Sequence, residues 1–155
     1  MSFTQWMLGL HLIAAFAVAS ALVLFSVLVF SGRRMTTLEQ TRTLFRVAPA
    51  GMALINGGIV LVFAFGVILS LDSDTFNIWD GWLIAAIILL IAFGGVGQRS
   101  GAYYTDVQKL AEAPGGGNEA EVLARLRSST GAVLHLATVA LFVLILLDMI
   151  FKPGA

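Results

Sequence analysis

Four long apolar runs separated by short charged stretches organise this chain. Residues 5–31, 47–71, 79–98 and 131–151 are predominantly apolar over about twenty positions or more, enough at about 1.5 Å per residue to cross a hydrocarbon core of about 30 Å. The pattern predicts four transmembrane helices and an all-α fold, a polytopic four-helix membrane bundle forming one domain over residues 1–155. The first run has no basic leader and is followed by Arg33 and Arg34, so it reads as a retained anchor and not as a cleaved signal.

The connections carry the charge. Arg33, Arg34, Arg42 and Arg46 follow the first span, and Arg99, Lys109, Arg125 and Arg127 follow the third, whereas the second connection holds Asp72, Asp74 and Asp80. Cytoplasmic loops collect Lys and Arg, so the basic connections are expected in the cytoplasm, with both termini outside a bacterial inner membrane. Trp6, Trp79 and Trp82 then fall at the outer interface, where an amphipathic indole is favoured. Within the third connection, Pro114 to Gly117 reads as a break. Asn118 and Glu121 have the spacing of a helix N-cap and its partner, predicting a short amphipathic helix over 119–128. Its Val122, Leu123 and Leu126 could lie on the membrane surface, or the helix could be a solvated linker. The segment 35–46 reads the same way.

Composition narrows the chemistry. Apolar residues make up 59% of the chain and charged residues 12%, with a mean hydropathy of +0.94, which excludes an ordinary soluble domain. The absence of cysteine excludes disulfides, thiolate metal sites and cysteine nucleophiles, and no basic patch points to nucleic acid. No phosphate loop, nucleophile elbow or paired-histidine metal motif is present.

Helices in lipid approach each other through small residues. Ala15 with Ala19 on the first span, Ala53 with Gly57 on the second, and Gly94, Gly97 and Gly101 on the third are the expected packing faces. Asn56, beside two glycines, reads as a structural polar group bonded to a neighbouring helix, or as a thinly covered place where a ligand approaches. Ionisable groups inside a span are costly, which singles out His11, His135 and Asp148. His11 lies about 9 Å inside the outer end of its helix, whereas His135 lies near the cytoplasmic end of the fourth. Their heights differ by about 15 Å, too far for one metal or a bis-histidine haem. His135 therefore reads as structural, with Thr130 and Thr138 as neighbours. Asp148 returns to the height of His11. With Met7 one turn from His11 and Met149 beside Asp148, these four residues form a candidate set for copper, or for capping a haem b. The competing reading makes the methionines apolar filler and pairs Asp148 with Lys152.

An early histidine in the first span, Arg-Val-Ala-Pro-Ala-Gly at positions 46–51, Trp82 opening the third span and a terminal Lys152-Pro153 together resemble a family of bacterial integral membrane proteins related to the copper-resistance D proteins and, more distantly, to HemJ-type protoporphyrinogen oxidases. The resemblance implies a helical bundle in which His11 matches a haem-binding histidine. It also places Ala86 where the HemJ type carries a lysine, so the second ligand of that type is missing.

Taken together, the sequence favours a small non-catalytic membrane protein, an accessory or structural subunit of a larger assembly or a homo-oligomer, with the bilayer and other membrane subunits as partners. The alternatives are a haem- or copper-handling redox protein using His11 and, more weakly, a small-solute transporter using Asn56.

Overall fold

The computed structural model describes residues 2–72, 79–113 and 118–152. The Pro114 to Gly117 break, Asp74 and Pro153 lie outside the described residues. Six helices follow one another: α1 (Phe3–Gly32), α2 (Leu38–Phe45), α3 (Ala48–Asp72), α4 (Gly81–Glu112), α5 (Glu119–Arg127) and α6 (Ser129–Phe151). Helices α1, α3, α4 and α6 are long and apolar enough to cross a membrane, and among the described residues there is no strand. The protein is an all-α, multi-pass membrane protein.

Local signals start the helices where the sequence places them. Ser2 and Gln5 form a capping box at α1, Thr37 accepts the Gln40 amide at α2, and Asn118 accepts the Glu121 amide at α5, satisfying backbone donors that a first turn leaves orphaned. The third span departs from expectation. Instead of ending at residue 98, α4 continues to Glu112, 32 residues or about 48 Å at the helical rise, so its last turns project beyond a core of about 30 Å. Polar composition after residue 98 marks the membrane boundary and does not interrupt the helix.

Those projecting turns carry a second apolar core at the end of the bundle that holds the basic connections. Leu28, Leu38, Phe45, Val107, Ala111, Val122 and Leu126 cluster there, with Val122 and Val107 fully buried. The amphipathic 119–128 helix turns Val122 and Leu126 into this core against α2 and α4, leaves Leu123 half-buried and exposes its opposite face. Arginines join the pieces by donating to backbone carbonyls: Arg33 to Ser128 at 2.8 Å, Arg42 to Ala111 at 2.7 Å, and Arg127 to Met35 at 3.1 Å. Ala111 lies in the last turn of α4, so the Arg42 cation also opposes the negative end of that helix dipole.

Within the bundle, α1 lies along α3, α4 lies along α6, and α1 touches α6. The antiparallel α1–α3 pair is tied at its far end by the Thr4 hydroxyl donating to Asp72 at 2.7 Å. The packing faces differ from those expected. Gly58, not Gly57, receives the neighbouring helix: a Cβ there would sit 2.6 Å from Val18 Cγ2 and 3.3 Å from the Ala14 carbonyl oxygen. On α1 the buried alanines are Ala14 and Ala21, with Ala15 and Ala19 half-buried, while Ala53 and Gly57 of α3 are exposed. Helices α3 and α4, although joined by a short connection, make no extended contact. The four spans follow the order α3, α1, α6, α4 around an incomplete ring, open between its first and last members.

Candidate functional site

A slot of about 470 Å³ occupies that opening. Its back wall comes from α1 (Leu22, Phe25, Val29) and α6 (His135, Thr138), and its sides from Ile55, Asn56, Ile59 and Val60 of α3 and from α4 between Phe93 and Gln108. Val60, Asn56 and Gln98 are exposed, which makes the interval between α3 and α4 its mouth. Gly94, Gly97 and Gly101, at successive turns of α4, line the slot. A Cβ at Gly94 would meet nothing within 4 Å, one at Gly97 would lie 3.5 Å from Thr138 Cγ2, and one at Gly101 3.6 Å from Met52 Cε. Of the glycine face expected to pack against a helix, Gly97 and Gly101 lie in van der Waals reach of α6 and α3, while Gly94 presents bare backbone to a space.

His135 stands at the back of this slot, 3% exposed. Ser26 of α1 donates its hydroxyl hydrogen to the Leu22 carbonyl at 2.9 Å, and its oxygen lies 2.8 Å from His135 Nε2. With that hydrogen committed, the serine oxygen accepts from Nε2–H, which leaves Nδ1 as an acceptor with no hydrogen-bond partner among the described residues. Phe30 packs edge-on against the imidazole, with ring centroids 6.5 Å apart. Thr130 and Thr138 are not its partners; Thr138 bonds back to the Leu134 carbonyl at 2.9 Å. The Ser26–His135 pair is not a nucleophile and its base, since Ser26 does not line the slot and its proton is directed away from the histidine. Asn56 and Gln98 also line the slot, and neither side chain makes a hydrogen bond to another described residue. Asn56 is therefore not bonded to a neighbouring helix. Among the described residues no Lys, Arg, Asp or Glu lines the slot.

The sequence shows in retrospect where to look. Ser26 lies six residues before the end of α1 and His135 six residues after the start of α6, so both sit at about 9 Å from the same end of the bundle. A mid-span serine is common enough that equal depth, and not residue type, was the available signal.

At the opposite end, His11 Nδ1 lies 3.0 Å from the Val62 carbonyl of α3. A carbonyl only accepts, so Nδ1 carries the proton and Nε2 keeps its lone pair. Gly66, one turn beyond Val62, makes room: a Cβ there would come within 3.3 Å of His11 Cε1. A histidine whose second nitrogen is held by a carbonyl is oriented as metal-ligating histidines usually are. Asp148 Oδ2 is buried without a hydrogen-bond partner, no hydrogen bond joins Asp148 to His11, and Met149 packs beside the apolar cluster of Val18, Leu22, Phe93 and Ile145. Met7 is half-buried on α1. Among the described residues no group of three His, Cys, Asp or Glu side chains is placed to hold a metal. Lys152 lies with its ammonium 5.4 Å from the Trp82 ring centroid, and no ion pair ties it to Asp148. Ala86, at the position of the second ligand in the HemJ type, is buried. His11 thus has the orientation of a ligand, but this donor set does not fit a haem held by two protein side chains.

The fold and site define a class: a four-span helical membrane protein with a neutral, laterally open slot in one half of the bundle. Comparison with protein-family models, with curated proteins and with solved structures finds no match to this chain.

Proposed function

We propose that this chain is a non-catalytic accessory protein of the bacterial inner membrane that holds a bilayer-dissolved guest in the slot between α3 and α4. The observation that carries this reading is the failure of α3 and α4 to close on each other, although a short connection joins them and α4 offers a glycine face. Helices in lipid gain stability by close packing on such faces. A sequence that instead leaves Gly94 facing space, with Asn56, Gln98 and His135 Nδ1 unsatisfied beside it, is arranged for something that enters from the side. Apolar walls with a few convergent polar groups, at a volume within the usual range for small ligands, are the ordinary make-up of a binding site.

The proposed orientation puts the basic end, with α2 and α5, in the cytoplasm and both termini outside. The distribution of arginine supports it. The direct test of the function is to extract the protein from its native membrane into lipid nanodiscs and identify by mass spectrometry the small molecules that accompany it. A Gly94→Phe variant, whose side chain enters the open space, should lose a guest that the wild type retains. Identical small-molecule content in both would overturn the reading.

A further inference from the structure

The dimensions of the slot decide what kind of molecule fits. Along α4 it runs from Phe93 to Gln108, about 22 Å at the helical rise. With a volume of about 470 Å³ over that length, the slot is long and narrow, a shape suited to an extended chain.

Its polar groups lie toward one end. Phe93, Ile59 and Leu22 line an apolar part, while toward the basic end Asn56, Gln98, Gln108 and His135 stand among apolar residues such as Phe45 and Met52. A phosphate head would call for Arg or Lys, whose charge-assisted bonds offset its desolvation, and among the described residues none lines the slot. The lining suits an uncharged head.

His135 narrows the class further. In the arrangement observed, its free Nδ1 accepts, as a guest hydroxyl requires. If the Ser26 hydroxyl turns from the Leu22 carbonyl to donate to Nε2, the proton resides on Nδ1, which then donates to a guest carbonyl. One buried pair can thus satisfy both a carbonyl and a hydroxyl head. Beside it, Gly94 leaves α4 without a side chain where an added Cβ would meet nothing within 4 Å, a bare stretch against which a flat ring can lie.

We propose, building on the reading above, that the slot binds an isoprenoid quinone in either oxidation state, with a ring oxygen at His135 Nδ1 and the isoprenoid chain toward Phe93 and Ile59. Binding alone is inferred, with no electron transfer by this chain.

The test uses the full chain in phosphatidylcholine nanodiscs, with decylubiquinone and its quinol as probes and empty nanodiscs as the partition control. Saturable binding of both forms at about one per chain, weakened at least tenfold by Gly94→Phe and by His135→Phe, is the expected result. Each variant's thermal midpoint is measured alongside, and the affinity of a variant is read only where folding is retained; Gly94→Phe adds its ring to open space and is the variant expected to fold normally. Binding no greater than in empty nanodiscs, or wild-type affinity in folded Gly94→Phe, would overturn the proposal. Displacement of decylubiquinone by equimolar dioleoylglycerol would also overturn it, showing a general lipid slot and leaving the accessory-binding reading in place.

Discussion

Ser26 and His135, 109 positions apart, meet with 2.8 Å between the serine oxygen and imidazole Nε2, and this bond ties the first span to the last inside the membrane region. Breaking a buried hydrogen bond so that one partner is left unsatisfied costs about 1–3 kcal/mol. Ser26→Ala should therefore lower the stability of the detergent-solubilised protein by that amount, read from its denaturation midpoint. It should also change the ¹⁵N signals of His135, because the serine that fixes its tautomer is gone. An unchanged His135 spectrum would show that the bond does not set the tautomer.

The register of the α1–α3 crossing can be tested with two neighbouring glycines. A leucine at Gly58 would drive into Val18 and the Ala14 backbone, and overpacking of this kind costs about 1–3 kcal/mol. Gly57 has nothing within 4 Å of an added Cβ, so Gly57→Leu should change stability by no more than about 0.5 kcal/mol. Equal effects, measured by thermal unfolding in the same detergent, would contradict the observed crossing.

His11 depends on the absence of a side chain at Gly66. A Cβ there already comes within 3.3 Å of the ring, so Gly66→Val should push the imidazole off the Val62 carbonyl. The expected readout is loss of the Nδ1–H tautomer preference of His11 in ¹⁵N spectra, with His135 unaffected. Persistence of the wild-type His11 signal would mean that the carbonyl contact does not hold the ring.

Because the chain has no native cysteine, single cysteines report burial and sidedness without background. Val122→Cys, at a position buried in the basic-end core, should resist maleimide in the folded protein, while Ala124→Cys on the exposed face of α5 should react at once. In intact cells an impermeant maleimide should label Ser2→Cys and spare Ala124→Cys until the membrane is opened. The reverse order of labelling would invert the proposed topology.

Much of the architecture was legible because lipid imposes a simple rule on length and polarity. Four runs of about twenty apolar residues had to become helices, since only a helix satisfies its own backbone in hydrocarbon. Asn118 with Glu121 announced α5, and the observed helix starts at the next residue, Glu119. The packing faces were not legible in the same way. On a helix that is apolar all round there is no polar stripe to set the direction of the interior. An error of one position, Gly57 for Gly58, turns the face by about 100°. The same limit hid the partner of His135, since the sequence gives depth along a span but not azimuth around it.

The sequence by itself determined the number of spans, the ends that share a side, the basic and acidic connections, and the depth of each polar group, all of which follow from rise per residue and the cost of charge in lipid. The tertiary structure alone decided that α4 runs on to anchor a second core, that Ser26 answers His135, and that α3 and α4 stand apart. These outcomes turn on which way each helix is rotated and which neighbour it meets, and both are set by side-chain interlocking between segments distant in the chain.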